Sequence, residues 1–377
     1  MNILVSAGEA SGDRYAAELV AVLRKRLPEA RFFGAAGPRL RDQGVEPIVK
    51  TESLAVVGLV EVVRHIPRIH GEFKRLLAAA EREKPDLAIL TDAPDFNLRV
   101  AAKLKAQGVP VVYYVAPQVW AWRSWRVKKI ARIVDRLLTI FPFEETWFNR
   151  RGVSAVYVGH PLADALEVQT TREQFCKETR LDPKTPILAL LPGSRRGEAL
   201  RHLPALSDAV DRLSAERKLN VVLAASSTAG RSFFAEHLSG RRSITVVEDR
   251  ARDLLAHADA ALVASGTATV EAALLGCPLA SFYKVTPVSW LLGKLLVNIP
   301  FYTMVNLLAE KKIIEERIQG DCTGENLAAD VRRLLDDETF RTRMKRDLAE
   351  IRQTLRGSRP AADRAADAVC KQLGIET

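Results

Sequence analysis

The sequence predicts a two-domain α/β protein, each domain built on a parallel sheet with helices on both faces. Three observations lead there. Short, continuously apolar runs alternate with amphipathic helical patterns from residue 2 to about residue 325. Such runs are the mark of parallel strands buried on both faces. The rhythm breaks once, between "GHPLADAL" and "LDPKTPILALLPG", where Pro161, Pro183, Pro186 and a polar helix fall. Finally, 377 residues is long for one core.

Strands are expected in the first half at residues 2–7, 31–37, 87–90, 110–116, 136–140 and 155–159. Patterns such as "DRYAAELVAVLRKRL" and "NLRVAAKLKAQG" supply helices between them. In the second half strands are expected at 186–193, 220–226, 243–248, 260–266 and 278–283. The break puts a hinge near 165–185, giving domains over 1–170 and 180–345 and a charged helical tail over 346–377. The simplest architecture is two Rossmann-like domains facing one another across a cleft. Ligands of such sheets bind beyond the carboxyl ends of the strands, so the strand-to-helix turns are the candidates for function.

Composition narrows the classes. A 47% hydrophobic and 27% charged chain suits a globular protein with sizeable cores. The net charge of +10 favours an acidic partner: nucleic acid, an anionic membrane surface or a phosphorylated substrate. Cys176, Cys277, Cys322 and Cys370 form no C-x-x-C and the six histidines are scattered, so no metal cluster is expected and a reducing compartment fits. The start, "MNILVSAGEASGD", lacks the basic and apolar regions of a signal peptide. The most apolar stretch, 285–305, is interrupted by Pro287, Lys294 and Pro300. Its longest charge-free piece is too short to span a bilayer, but the stretch is apolar enough to lie on one.

Four turns hold the chemistry. "SAGEASGD" (6–13) has Gly8 and Gly12, which permit tight turns and close approach of a ligand. It is not G-x-G-x-x-G, and a purely structural role is the alternative. "KPDLAILTDAPDFN" (84–97) brings Asp86, Asp92 and Asp95 around a strand end, with Asn97 beside them. A carboxylate there can take a proton from a substrate hydroxyl, or can simply cap the helix beginning at "PDFN". "LLPGSRRGE" (190–198) offers Gly193, Ser194, Arg195 and Arg196, a composition suited to phosphate, though without the spacing of a Walker A loop. "SGTATVEAALL" places Ser265, Gly266 and Thr267 where a strand gives way to a helix, an anion-friendly point. Two such turns can grip one diphosphate. Glu271 falls about one helical turn beyond Thr267, within an apolar run, where it can accept hydrogen bonds from a ribose.

"SAGEASGD", "DAPDFN", "PQVWAWR", "GHPL", "LLPGSR" and "SGTATVEAALLGCP" occur in the order found in lipid-A-disaccharide synthases, and from residue 2 to about 325 the chain resembles that family. The resemblance implies an inverting glycosyltransferase of the two-domain GT-B type. Its reaction transfers 2,3-diacylglucosamine from UDP-2,3-diacylglucosamine to the 6-hydroxyl of 2,3-diacylglucosamine 1-phosphate (lipid X). The products are the β-1,6-linked lipid A disaccharide 1-phosphate and UDP, at the cytoplasmic face of the inner membrane. Neither metal nor other cofactor is implied, and a homodimer is. Inversion in one displacement needs one base. Asp95 is the first candidate, Asp92 the reserve, and Asp86 orders the strand end. Gly193, Ser194, Arg195, Ser265, Gly266 and Thr267 would hold the diphosphate, Glu271 the ribose. Asn306 matches a nucleotide-side asparagine, with Val305 where the family usually has proline. Gly8, Glu9, Ser11, Gly12, Asp13 and Asn97 form the acceptor-side loops.

Acylated substrates call for a bilayer surface. "SLAVVGLVEVVRHIPRIH" (53–70), with Val56, Val57 and Leu59, is one candidate contact. "VWAWRSWRVKKIAR" (119–132) interleaves Trp120, Trp122 and Trp125 with Arg123, Arg126 and further cations, as headgroup contacts do. The same composition suits single-stranded nucleic acid, a partner the resemblance argues against. A tryptophan cluster with a solvated basic face, or a wall of the acceptor pocket, are the other readings. Rivals within the fold are a peptidoglycan-precursor N-acetylglucosaminyltransferase and a UDP-sugar epimerase.

Overall fold

The computed structural model describes all residues except 55–58, 167, 227–228, 239–242, 298 and 376–377, and omits the side chains of 59–66, 288, 292, 295 and 296. The chain divides into two compact units: Met1–Asp164 with Leu355–Thr377, and Ala165–Thr354.

The first unit holds a parallel sheet of β1 (Asn2–Ala7), β2 (Arg31–Ala36), β3 (Glu46–Lys50), β4 (Leu87–Thr91), β5 (Val111–Tyr114), β6 (Arg136–Thr139) and β7 (Ala155–Tyr157), in the order β3-β2-β1-β4-β5-β6-β7. Its central strands are apolar and sealed on both faces; every residue of β4 is buried. Phe33, Leu4, Ala88, Leu90 and Tyr113 join Leu76, Leu98 and Leu104 from the helices in one core. Each large apolar side chain there contributes about 1.5–3 kcal/mol on burial. Helices α1 (Ala10–Arg26), α2 (Pro38–Asp42), α3 (Leu59–Glu83) and α4 (Pro94–Ala106) follow β1, β2, β3 and β4.

The second unit repeats the plan with β8 (Ile187–Leu191), β9 (Asn220–Ala225), β10 (Ile244–Glu248), β11 (Ala260–Ala264), β12 (Leu279–Tyr283) and β13 (Glu316–Ile318), all parallel, in the order β10-β9-β8-β11-β12-β13. Each sheet therefore reverses its strand order once, between β1 and β4 and between β8 and β11.

Two strands escape the sequence reading. β3, "EPIVK", is a largely exposed edge whose Pro47 argues against a central strand. β13 is three half-buried residues, "ERI". The expected separate tail over 346–377 is corrected as well. Residues to Thr354 belong to the second unit, and the terminal helix Ala361–Gln372 packs on α1 of the first. Arg26 pairs there with Asp363 and Asp367, Arg364 donates to the Tyr157 carbonyl, and the Ala361 N–H to Asp164 Oδ2. Small residues (Ala361, Ala365, Ala366) make that buried stripe, and they stand out little in a charged segment. Among the described residues no helix is long and apolar enough to cross a membrane.

Candidate active site

In register, Ala7 of β1 lies beside Thr91 of β4, and Thr91 beside Tyr114 of β5. The next residues, Gly8, Asp92 and Val115, thus leave the sheet together at its reversal point. Asp92 (φ 50°), Ala93 (φ 39°) and Val115 (φ 65°) are all left-handed. That conformation costs a non-glycine residue of order 1–3 kcal/mol and concentrates at functional sites.

Neighbouring hydrogen bonds hold this strain. The buried Asn97 side chain donates to the carbonyls of Thr91 (2.9 Å) and Asp92 (3.0 Å) and accepts from Ser6 Oγ (2.7 Å). The Tyr113 hydroxyl donates to the Asp92 carbonyl at 2.5 Å. The Gly8 N–H donates to Asp92 Oδ1 at 3.0 Å. A Cβ on Gly12 would lie 1.7 Å from Asp92 Oδ2, and one on Gly8 2.1 Å from the Ala93 Cβ. The glycines of "SAGEASGD" are thus required by the turn of the second motif: Gly12 by Asp92 and Gly8 by Ala93.

Asp92 Oδ2 is closed off from solvent and has no hydrogen-bond partner among the described residues. Burial, with the negative charge of Glu9, raises the Asp92 carboxyl to about 8 against the pull of the N–H groups of Gly8, Gly12 and Glu9. Asp95 differs in every respect. Its side chain is 65% exposed, and it accepts from Arg126 (2.6 Å) and Arg123 (3.2 and 3.3 Å). Partial burial pushes its carboxyl up, but the two guanidinium groups outweigh that and hold it below the usual range.

Two acceptor-side expectations change character. Asp13 is buried and accepts from the N–H groups of Gly37 (2.7 Å), Arg39 (2.8 Å) and Leu40 (3.3 Å), so it caps α2. Asn97 braces strand ends. Glu9 and Ser11 are exposed at the start of α1. Asp86 accepts from the Asn2 N–H, as a residue ordering a strand end does.

The segment after Val115 carries the aromatic and basic residues. Trp120, half-buried, donates to Glu144 Oε1 at 3.0 Å and packs edge-on to Phe143. Glu144 is wholly buried, which raises its carboxyl to about 8. Trp122 and Trp125 are 43% and 70% exposed, with Arg123 stacked over Trp122 at 3.7 Å and Arg126 over Trp125 at 5.3 Å. Val56 and Val57 lie outside the described residues, as does the side chain of Leu59.

In the second unit Leu190 of β8 lies beside Leu223 of β9, and Leu191 beside Val263 of β11. The turns at Gly193 and Ser265 therefore leave neighbouring strands at the reversal point. Gly193, Ser194 and Arg195 precede the helix Arg196–Glu216, with Ser194 and Arg195 exposed. Arg196 is tied back to the Ala229 carbonyl (3.0 Å). Gly266 caps the helix Thr267–Leu274, and Gly266 and Thr267 border solvent. Ser265 Oγ donates to the Tyr302 carbonyl at 3.0 Å. Glu271 stands one turn on, 3.6 Å from an Arg252 nitrogen.

Asn306 is held by its own loop. Its side chain is fully buried, donates to the Ile314 carbonyl (3.0 Å) and Glu316 Oε1 (2.9 Å), and accepts from the N–H groups of Ile313 (2.8 Å) and Ile314 (3.0 Å). With its hydrogen-bonding capacity used internally, it positions the loop over 302–316. Glu316, which sequence reasoning missed, also accepts from the Tyr302 N–H and the Thr303 N–H and hydroxyl. His202, equally missed, is buried between the ends of β8 and β12. It accepts from the Lys284 N–H (2.9 Å) on Nε2, which leaves Nδ1 to donate to the Pro192 carbonyl (2.8 Å). A lone histidine in a helix carried no signal for either bond.

Comparison with known proteins bears on the family and the fold. Residues 3–369 match the family model described as lipid-A-disaccharide synthetase. The chain is 58% identical to the lipid-A-disaccharide synthase of Solibacter usitatus, over 97% of this chain and 96% of that one. It is 47% identical to that of Myxococcus xanthus, over 98% and 97%. Among solved structures it is similar to a UDP-GlcNAc 2-epimerase from Neisseria meningitidis bound to UDP-GlcNAc, with a TM-score of 0.68, 12% identity and coverage of 98% of this chain and 100% of that one. It is also similar to MurG of Acinetobacter baumannii, with a TM-score of 0.57, 16% identity and coverage of 98% and 99%. At such identities those two share the fold alone, whereas the synthases match in sequence along nearly the whole chain. The chain belongs to the lipid-A-disaccharide synthase family of GT-B glycosyltransferases.

Proposed function

We propose that the chain transfers 2,3-diacylglucosamine from UDP-2,3-diacylglucosamine to the 6-hydroxyl of 2,3-diacylglucosamine 1-phosphate, with Asp92 as the base. The acceptor oxygen attacks the anomeric carbon of the donor as the bond to the UDP oxygen breaks, with inversion. The hydroxyl proton passes to the Asp92 carboxylate, and UDP leaves as the anion.

The observation that carries this reading is the contrast between the two aspartates. A base works best with a pKa near the working pH. Asp92, raised to about 8 by burial, meets that requirement. Asp95, held low and occupied by two arginines, does not. In the second unit, Ser194, Arg195, Gly266 and Thr267 lie at neighbouring strand ends with first-turn N–H groups that have no helical partner. Such donors offset the charge that develops on the departing diphosphate. Glu271 takes the ribose hydroxyls in this reading, and Arg252 orients it.

Both substrates bear acyl chains, so the enzyme works at the cytoplasmic surface of the inner membrane. Exposed Trp122, Trp125 and Leu291 support that placement. Homodimerisation belongs to the same reading and is tested by sedimentation.

The test is a mass-spectrometric assay with purified protein, both substrates and no added metal. Equimolar tetraacyl disaccharide 1-phosphate and UDP are expected. UDP binding without product, in the presence of detergent or anionic lipid, would contradict the assigned substrates.

A further inference from the structure

Two guanidinium groups converging on one exposed carboxylate make an unusual surface feature, and its position gives it meaning. Arg123 and Arg126 both bond to Asp95, at 3.2 and 2.6 Å. Each is backed by a tryptophan ring, Trp122 and Trp125, which are themselves largely open to solvent. These ring contacts, at 3.7 and 5.3 Å, support the guanidinium groups from a side other than Asp95's hydrogen bonds. Residues 123–132 include five lysines and arginines and no acid, so the single carboxylate leaves the group net positive. The arm begins at the left-handed Val115, which follows the strand-end residue paired with Thr91, directly before Asp92. Asp92 and Asp95 are three residues apart, so their Cα atoms are separated by at most about 11 Å.

We propose that Arg123 and Arg126 are the seat of the phosphate monoester on the sugar acceptor, and that Asp95 fills this seat as an internal anion while it is empty. The inference rests on the reading of this unit as the acceptor side. A phosphate monoester is close to a dianion at neutral pH, with three oxygens for two planar forks. It outcompetes a lone carboxylate, whose exposed ion pairs are weak. Asp95 then turns out to solvent; no covalent bond changes. A phosphate held there sets the sugar ring over the short interval to Asp92, which orients the opposite end of the acceptor toward the base.

The test is calorimetric binding of acyl-free glucosamine 1-phosphate to the full-length protein and its variants. Binding should weaken about 10-fold in Arg123→Gln and in Arg126→Gln, and further in the double variant, because each removes a charge-assisted bond. Asp95→Asn should tighten it. UDP affinity and melting temperature should stay at their wild-type values. In turnover assays the arginine variants should raise KM for the phosphorylated acceptor with little change in kcat, and should not affect an acceptor lacking the phosphate. Equal binding by wild type and double variant would overturn the proposal. So would a defect confined to sedimentation with phosphatidylglycerol vesicles, which would make the pair a headgroup contact. If the sugar phosphate binds as described and no disaccharide forms, the assigned reaction fails and the phosphate seat stands. If disaccharide forms without the binding pattern, the reaction stands and the phosphate seat fails.

Discussion

Gly12 and Asp92, eighty residues apart, are fitted so closely that a methyl group on the glycine would sit 1.7 Å from the Asp92 Oδ2. This contact joins the two motifs that follow β1 and β4, and it fixes where the carboxylate stands. Gly12→Ala should therefore displace Asp92 as well as destabilise the unit, with about 1–3 kcal/mol lost to overpacking. We expect kcat to fall at least about 100-fold, a loss of oriented base catalysis, with UDP affinity unchanged. Calorimetry and steady-state kinetics check both; normal kcat would show that the fit is structural only.

The raised Asp92 carboxyl predicts a pH profile. Activity needs the ionised form, so log kcat/KM should climb with unit slope toward about pH 8 and then level. A base of depressed pKa such as Asp95 would give a flat profile from about pH 6 to 9. Rate measurements across that range discriminate directly.

Stability carries the opposite sign. Asp92 and Glu144 keep their protons to about pH 8 when folded but lose them near 4 when unfolded. The folded state thus binds more protons between those values, and stability falls as pH rises through the window. His160, lowered to about 3 by burial, works against this only below the unfolded histidine value near 6.5. Between about pH 6.5 and 8 each carboxyl should cost on the order of 1–2 kcal/mol. Asp92→Asn should remove roughly half of that slope. Urea denaturation at the two pH values tests it, and equal slopes for variant and wild type would contradict the assignment.

Asn306 and Glu316 brace the loop whose Tyr302 carbonyl receives the Ser265 hydroxyl. Asn306→Ala leaves the Ile313 and Ile314 N–H groups without their partner and should cost about 2–4 kcal/mol. It should also weaken UDP binding, through Ser265, by about 10-fold, one lost hydrogen bond. A fall in stability with unchanged UDP affinity would separate the loop from the nucleotide turn.

The elements that were legible in the sequence are those with an intrinsic pattern. β1, β4, β8 and β11 are short runs rich in apolar residues, and the turns after them carry glycine, serine and charge, so the four turns could be read from the sequence, whereas their place at the reversal points of the two sheets could not. What could not be read depends on distant partners. Asp92 and Asp95 are equivalent as letters in "DAPDFN"; only Gly8 and Gly12 on one side and Arg123 and Arg126 on the other make them different. Asn306 matched a motif, yet its partners lie in and before a strand too short and polar to announce itself. Likewise Asp13 was legible as part of a loop, while its service to α2 was not.

Whether Asp92 rather than Asp95 takes the acceptor proton is decided by single-turnover product formation in Asp92→Asn and Asp95→Asn at saturating substrates, with UDP binding measured alongside. With Asp92 as the base, Asp92→Asn should lose about 10³-fold or more, the scale of general-base catalysis. UDP should still bind normally, and Asp95→Asn should lose far less. Turnover that survives in Asp92→Asn and collapses in Asp95→Asn would contradict the assignment.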